Sequence, residues 1–327
     1  MSEATPRYVF GPVPSRRLGQ SLGIDTVPLK TCNWNCVYCQ LGRSVPVVHE
    51  RREYLPRDQI INQAKEALHA QYTEAIDWIT FVASGETTLH VGLGWMIEQV
   101  QALTQIPVAV ITNGSLLYLP EMRDELKLAD AVLPTLDAGE AQLYRRINRP
   151  HPSASFDRLV QGLIDFRAVY TGELWIEVML VRDLNDDEES LRRIAAQLAR
   201  IKPDEVHINL PQRPPVEGWV KPPGNAGLER AAAILGATSR VVPAPEGSFG
   251  LSGCNDLVEA IVAVITRHPM REEELMRTFD QWRPGKAAQL LAELRASGRA
   301  QILERHGSRY WIASQAHFPD NTAKPKN

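Results

Sequence analysis

Three of the four cysteines of this 327-residue chain lie within eight residues, in the run Cys32-Asn33-Trp34-Asn35-Cys36-Val37-Tyr38-Cys39. Three thiolates can bind three irons of a [4Fe–4S] cluster and leave the fourth iron free to chelate another molecule. A ferredoxin would supply a fourth cysteine nearby, whereas Cys254 is more than 200 residues away. The spacing therefore indicates an iron–sulfur site with one open coordination position.

A structural zinc site with Cys254 as its fourth ligand is the alternative interpretation. Closed zinc sites usually draw their ligands from two close pairs, and Cys254 has no paired ligand near it. A buried small hydrophobe is the other interpretation of this residue. Three crowded cysteines are a poor disulfide framework, so in a reducing compartment the cluster indicates metal binding.

The elements that must position these cysteines follow a regular alternation. Short apolar runs alternate with helix-period segments from about residue 20 to 210, which predicts parallel βα units. The predicted strands are Ser21–Pro28, Trp78–Ala83, Val108–Thr112, Ala131–Leu136, Leu174–Val181 and Val206–Leu210. We expect an α/β fold, a partial (β/α)6 barrel of the TIM type. The cysteines follow the first strand, at the carboxyl end where such folds place their sites.

The CxxxCxxC spacing of Cys32, Cys36 and Cys39 resembles the radical S-adenosylmethionine (SAM) superfamily. The resemblance implies two cofactors, a [4Fe–4S] cluster and SAM, whose amino and carboxylate groups occupy the open iron. It also implies reductive cleavage of SAM to methionine and a 5′-deoxyadenosyl radical that abstracts hydrogen. Tyr38 matches the aromatic position that packs by the adenine in this superfamily.

The segment after the second strand, Ser84-Gly85-Glu86, is similar to the superfamily's Gly-Gly-Glu-Pro motif, which binds the methionine amino group. Ser84 and Thr87 depart from that motif, while Gly85 and Glu86 are kept. Glycine permits close backbone approach, and a glutamate pairs with an ammonium group.

The next two strands end in further candidates for SAM binding. Thr112 and Asn113 stand where the superfamily places ribose contacts, and a plain turn is the alternative. Thr135 is a candidate contact to the SAM carboxylate. Asp137 either faces substrate or caps the following helix.

The last two predicted strands contribute three more candidates. Glu177 is either an inward carboxylate that binds the SAM ribose or an outward residue, since side chains alternate along a strand. Arg182 could pair with the SAM carboxylate, and Asn209 could contact SAM. His207 shares a face with Asn209. The simpler interpretation of His207 is a core histidine whose ring is hydrogen-bonded within the protein.

Longer segments resemble one group within the superfamily, radical SAM proteins related to the wybutosine-synthesis tRNA enzyme. The segments are residues 10–25, residues 144–150 and residues 209–215. Those tRNA enzymes use further cysteines for a second cluster, and Cys254 alone cannot supply three. Several arginines suggest an anionic substrate group near the barrel mouth, with solvated surface arginines as the alternative. These are Arg16, Arg17, Arg145, Arg146 and Arg149.

Residues 211–225 break the periodic pattern and predict a long loop, and a second irregular stretch, 241–255, is the predicted linker to a C-terminal module. We expect a radical SAM core over 1–250, a winged helix-turn-helix over 256–315 and a flexible tail over 316–327. The module's predicted elements are three helices followed by a hairpin over Arg299–Ile312. Its basic residues are Arg283, Lys286, Arg295, Arg299, Arg305 and Arg309. These residues could bind the phosphates of a nucleic acid. Winged helices also bind proteins, and we favour protein or peptide docking.

Composition narrows the function classes. The net charge of −3 and the 44% hydrophobic content are those of an ordinary globular chain. They do not indicate a nucleic-acid-binding protein. No run is long enough to span a bilayer and no secretory signal is visible, so we expect a cytoplasmic protein with no membrane partner. We expect a flavodoxin or ferredoxin as electron donor and a macromolecular substrate, RNA, peptide or partner enzyme. An iron–sulfur redox sensor that binds nucleic acid is the alternative function.

Overall fold

The structure is a computed structural model that describes residues 6–70, 76–243 and 256–319. Its larger part is an α/β fold around an eight-stranded sheet whose strands follow the order of the chain. The strands are β1 Val9–Ser15, β2 Gly19–Ile24, β3 Trp78–Phe81, β4 Val108–Thr112, β5 Ala131–Pro134, β6 Glu173–Met179, β7 Glu205–Asn209 and β8 Ser239–Val241. β1 pairs antiparallel with β2, and every later neighbour is parallel.

Helices connect the parallel strands and cover one face of the sheet. They are α1 Arg57–His69, α2 Leu93–Leu103, α3 Pro120–Leu126, α4 Ala141–Ile147, α5 Phe156–Val169, α6 Glu188–Ile201 and α7 Asn225–Leu235. Because side chains alternate along a strand, Phe81 and Val110 pack toward the helices in the main core. Trp78, Ala109 and Trp175 belong to a separate apolar cluster on the opposite face, which we call the inner face.

All six predicted strands are present, and two strands were missed. β1 contains Gly11, Pro12 and Pro14, which break the alternation expected of a strand. Prolines are tolerated there because β1 is an edge strand with an irregular register opposite β2. β8 is three residues long and follows helix α7, so its sequence carries little strand pattern. The sheet therefore has seven parallel strands rather than six.

The C-terminal unit contains the three predicted helices and the predicted hairpin. Its elements are α8 Leu257–Arg267, β9 Met270–Arg271, α9 Glu272–Trp282, α10 Ala287–Ala296, β10 Ala300–Arg305 and β11 Ser308–Ala313. The hairpin turns at His306 and Gly307, both with positive φ, as a two-residue type I′ turn requires. β9 was not predicted; it adds a third strand beside β11.

The C-terminal unit packs directly on the N-terminal edge of the large sheet. Phe10 and Val13 of β1 share an apolar cluster with Ile261 and Phe279. Arg267 at the end of α8 reaches into the core and forms an ion pair with buried Asp25 at 2.8 Å. These contacts hold the unit against the strand that precedes the cysteines.

The predicted linker over 241–255 and the predicted tail over 316–327 are described only in part. Residues 244–255, which include Cys254, and residues 320–327 lie outside the described residues. Residues 316–319 are packed rather than free, since Gln301 donates to the Ala316 carbonyl at 2.9 Å and Arg305 donates to the Pro319 carbonyl at 2.9 Å. No described helix has the length and apolarity to cross a membrane.

Candidate functional site

The three clustered cysteines lie on a loop, residues 30–40, that follows β2 and is fixed on one side by the segment after β3. The Lys30 amide donates to the Ser84 carbonyl at 2.6 Å, and the Glu86 amide donates to the Thr31 carbonyl at 2.9 Å. A Cβ atom on Gly85 would lie 1.9 Å from the Thr31 carbonyl oxygen. Gly85 therefore permits a close approach, as expected, and what approaches it is the backbone of this cysteine loop.

The other side of the cysteine loop is held by the end of α4 and by the segment after β7. The Val37 amide donates to the Ile147 carbonyl at 2.9 Å, and the Asn35 amide donates to the Asn148 carbonyl at 3.0 Å. The Val216 amide donates to the Cys39 carbonyl at 3.0 Å. Elements far apart in the chain thus fix the backbone that carries the cysteines.

Each clustered thiol is half-buried and has an N–H donor beside it. The Trp34 amide lies 3.4 Å from Cys32 Sγ, Lys30 Nζ lies 3.1 Å from Cys39 Sγ and Asn148 Nδ2 lies 3.6 Å from Cys36 Sγ. Burial raises the pKa of Cys32 to about 12 and that of Cys36 well above its ordinary value. Thiols in this environment need a cationic partner to ionise, and the irons of a cluster would supply one.

The described part of the chain contains no group of three His, Cys, Asp or Glu side chains arranged around one metal ion. A cubane cluster makes a different demand, because each thiolate binds a different iron. The three thiols and their N–H donors therefore fit a [4Fe–4S] cluster. Asn148 Oδ1 is buried without a hydrogen-bond partner next to this group.

Glu86 is 2% exposed and is committed to hydrogen bonds within the protein. Its carboxylate accepts from the Thr88 amide at 3.0 Å, from Thr112 Oγ1 at 2.5 Å and from the Asn113 amide at 2.7 Å. Burial raises the pKa of Glu86, and these hydrogen bonds oppose the rise. Glu86 and Thr112 thus link the ends of β3 and β4, and their expected contacts to SAM stay predictions.

Ser84 is likewise occupied by the protein. Its hydroxyl donates to Asp25 Oδ2, and its amide donates to Asp25 Oδ1 at 2.8 Å. Asp25 is the partner of Arg267, so Ser84 connects the cysteine loop to the C-terminal unit. The expected contact of Ser84 to a cofactor stays a prediction beside this contact within the protein.

Asp137 forms a buried network behind Cys36. Tyr38 donates to its carboxylate at 2.5 Å, Asn148 at 2.6 Å and the Met179 amide at 2.8 Å. Burial raises the pKa of Asp137 to about 6. The N-cap of α4 is Glu140, so Asp137 does not cap that helix, and the expectation that it faces a substrate stays a prediction. Asp137 positions Tyr38 and Asn148 against the cysteine loop.

The inner face beyond this network carries three more of the candidates, Thr135, Glu177 and Asn209. Thr135 and Glu177 are neighbours across β5 and β6. Glu177 forms an ion pair with Arg17 and accepts from Asn209 Nδ2 at 3.1 Å. Asn209 Oδ1 is buried without a partner. Asn113 lies nearer the cysteines, since its side-chain amide donates to Asn33 Oδ1 at 2.6 Å.

The arginines expected to form one anion site divide into three locations. Arg16 and Arg17 lie in the β1–β2 turn by the inner face, where burial lowers the pKa of Arg17 to about 9. Arg149 pairs with Glu217 at 2.5 Å, beside the cysteine loop. Arg145 and Arg146 are exposed on α4.

Arg182 is exposed in the wall of a cleft between the segment after β7 and the C-terminal unit, and its expected contact to the SAM carboxylate stays a prediction. Arg213 and Lys221 line the same cleft. The position of Arg182 follows from the chain leaving β6 and turning toward the C-terminal unit, where its amide donates to the Lys221 carbonyl at 2.9 Å.

Four residues of this site were missed: Lys30, Asn148, Asp25 and Arg213. Lys30 stands two residues before the first cysteine, and Asn148 and Arg213 lie inside segments that carry the group resemblance. Their presence in those segments was the available signal. Asp25 ends another such segment, residues 10–25, but its partners Ser84 and Arg267 are distant in the sequence, so nothing local indicated its role.

Comparison with known families and proteins gives consistent findings. The model of the Radical SAM superfamily matches residues 26–195. The UPF0026 protein MJ1312 of Methanocaldococcus jannaschii is 34% identical over 321 residues, covering 97% of this chain and 99% of that protein. A protein of Brachyspira hyodysenteriae described as GTPase Obg is 38% identical over 303 residues, covering 92% of this chain. This chain spans only 44% of that relative's length.

Among solved structures, the fold is similar to the structure of TYW1 with a lysine-pyruvate adduct bound. The identity is 13% and the TM-score is 0.45, over 93% of this chain and 83% of that one.

Proposed function

Since the chain belongs to the radical SAM superfamily and to the UPF0026 family, we propose that it cleaves SAM reductively at a single cluster held by Cys32, Cys36 and Cys39. Superfamily membership makes the chain an enzyme with a [4Fe–4S] cluster and SAM as cofactors. The observation that carries the proposal is the set of three half-buried thiols, each beside an N–H donor, on one loop fixed from both sides.

A cluster held by Cys32, Cys36 and Cys39 would supply the electron for cleavage of SAM to methionine and a 5′-deoxyadenosyl radical, the species that takes a hydrogen atom from the substrate. The protein's contribution near the sulfurs is electrostatic. Lys30 and Asn148 donate hydrogen bonds to Cys39 and Cys36. Such donors stabilise the reduced, more negative state of a cluster and raise its reduction potential.

We assign SAM to the inner face next to the cysteine loop. Thr135, Glu177 and Asn209 are the side chains proposed to contact it, supported by the unpartnered Asn209 Oδ1. Tyr38 and Asn113 border the same space. Glu86 and Asp137 act as positioning residues, since their carboxylates bond to groups of the protein.

At the level of architecture, we propose that the sheet is a partial TIM-type barrel and that the C-terminal unit is a winged helix. Seven parallel strands in chain order with helices on one face support the first assignment. Three helices and the strand order β10-β11-β9 support the second.

The basic residues of the C-terminal unit support a protein or peptide role over nucleic-acid regulation. Arg299 pairs with Glu259, and Arg309 pairs with Glu272. Arg305 is 8% exposed. Half of the expected basic surface is thus neutralised or buried, which disfavours the redox-sensing regulator. We propose a macromolecular substrate and a flavodoxin or ferredoxin as electron donor.

The test is SAM cleavage by anaerobically reconstituted protein reduced with dithionite. We expect about four irons per chain and formation of 5′-deoxyadenosine, measured by metal analysis and mass spectrometry. Cys36→Ala should lose both. Cys254→Ala is the matched control and should keep both. Tetrahedral zinc that is lost from both variants, with no 5′-deoxyadenosine from the parent protein, would overturn the proposal.

A further inference from the structure

A cleft of about 1100 Å³ separates the segment after β7 from the C-terminal unit. One wall contains Gln212, Arg213 and Lys221, and the other contains residues of α9 and of the hairpin, including Arg277 and Tyr310. We call it the basic cleft. Its volume exceeds the usual range of small-molecule pockets, about 300–1,000 Å³, and suits part of a polymer.

The basic cleft has an excess of uncompensated positive charge. Its lining includes the five cationic side chains Arg182, Arg213, Lys221, Arg271 and Arg277. Within the described residues, none of the five has an acidic oxygen within 4.0 Å. Glu274 is the one acidic residue in the lining. In a chain of net charge −3, this concentration predicts an anionic ligand.

One end of the basic cleft lies beside the carboxyl end of β7, since Leu210, the residue after Asn209, lines the cleft. Arg213 contacts His268. Burial, together with the charge of Arg16, lowers the pKa of Arg213 to about 10. Arg213 also lies close enough to Arg17 to lower the pKa of that residue, and Arg17 is the partner of Glu177. A ligand in the basic cleft would therefore extend toward the inner face.

The lining distinguishes between two kinds of anionic polymer. Single-stranded nucleic acids are bound by aromatic side chains that stack on bases. Two aromatic rings lie among the described lining residues. Tyr310 is 6% exposed and its hydroxyl accepts a hydrogen bond from Arg271, and the ring of His306 is hydrogen-bonded to the Val220 carbonyl. Prolines make up much of the remaining wall: Pro211, Pro214, Pro222 and Pro269. Guanidinium groups pair well with carboxylates, and arginine clusters recognise acidic peptide motifs.

We propose that the basic cleft binds an acidic segment of a polypeptide substrate and directs that polypeptide toward the inner face. This assignment rests on the proposed function, because it names the substrate class of the same site. The five unpaired cations supply the affinity, and the proline walls supply a surface for an extended backbone.

The experiment measures fluorescence anisotropy of a fluorescein-labelled (Glu-Ala)6 peptide with the full-length protein. We expect saturable binding that weakens with salt, and no binding of a (Gln-Ala)6 peptide. Lys221→Gln combined with Arg277→Gln removes one cation from each wall and should weaken binding about tenfold or more, a loss of about 1.4 kcal/mol. Lys286→Gln combined with Arg295→Gln changes the charge equally outside the cleft and should alter binding less than about twofold.

Three results would overturn the proposal. The first is no binding of the acidic peptide, and the second is an equal loss of peptide affinity in both double variants. The third is tighter binding of a 12-nucleotide oligouridylate that the cleft variant alone weakens, which would assign the cleft to nucleic acid. The cleft variant should still form 5′-deoxyadenosine. If 5′-deoxyadenosine is formed but the parent protein does not bind the peptide, the inference fails and the proposed function stands. If the parent protein binds the peptide but does not cleave SAM, the proposed function fails and peptide binding by the cleft stands.

Discussion

The cysteine loop and the basic cleft are constructed in opposite ways. Around the cysteine loop, polar groups such as Glu86, Asp137 and Ser84 are buried and bonded to other groups of the protein. In the basic cleft, cations such as Lys221 and Arg277 are exposed and lack ion-pair partners among the described residues.

The difference shows that the polar groups around the cysteine loop are held in place by the protein, whereas the cations of the basic cleft can bind a ligand. A buried polar group must be satisfied by the protein itself, because an unsatisfied one costs about 1–3 kcal/mol. An exposed cation is satisfied by water and can exchange that water for a ligand. Mutations around the cysteine loop should therefore cost stability, and mutations in the basic cleft should cost binding.

The largest contrast is expected between two arginine substitutions. Arg267→Gln leaves the buried Asp25 carboxylate without its ion-pair partner and should lower the free energy of unfolding by about 3–5 kcal/mol. Arg277→Gln removes an exposed cation and should change it by less than about 0.5 kcal/mol. Urea denaturation of both variants measures this. Equal costs would show that the two regions do not differ in this way.

A smaller effect is expected at the glycine that contacts the cysteine loop. Gly85→Ala places a methyl group 1.9 Å from the Thr31 carbonyl oxygen, and such overpacking should cost about 3 kcal/mol and reduce iron content. Gly224→Ala is the matched control, because nothing lies within 4 Å of its added Cβ; its cost as a helix N-cap should stay below about 1 kcal/mol. Urea denaturation measures the stability of both variants, and metal analysis measures their iron content. A Gly85→Ala variant of parental stability and iron content would contradict the close contact.

The smallest effect is a pH dependence on the inner face, between the two regions. Burial lowers the pKa of His207 to about 4, below its ordinary 6.5. The neutral ring is thus favoured in the fold, and stability is full above pH 6.5 and falls as the pH drops toward 4. Between pH 7 and pH 5 the parent should lose about 2 kcal/mol more than His207→Gln. Parallel slopes in urea titrations would show that His207 does not titrate in this way.

How far the sequence predicted the site depends on whether a residue's partner is near in the chain. The strands β3 to β7 were located because a buried parallel strand has a local apolar pattern. Alternation along the strand left Glu177 either inward or outward, and the structure places it with Asn209 on the inner face. The roles of Glu86 and Asp137 were not predictable, since their partners come from other strands and loops.

The arginines show the same limit. Five arginines from two segments were expected near one anionic substrate group, and the fold separates them: Arg16, Arg17, Arg145, Arg146 and Arg149. The basic cleft combines Arg182 and Lys221 with residues of the C-terminal unit. A charge count along the chain cannot show such a surface, because its members come from segments up to about a hundred residues apart.

The sequence by itself determined the three thiols, their spacing and their position after the first parallel strand, because these are local properties of one segment. Only the tertiary structure decided which polar residues satisfy one another and which remain available to a ligand. Lys30 and Asn148 beside the sulfurs illustrate this. The physical reason is that a hydrogen bond or an ion pair depends on distance in space, and folding alone brings such partners together.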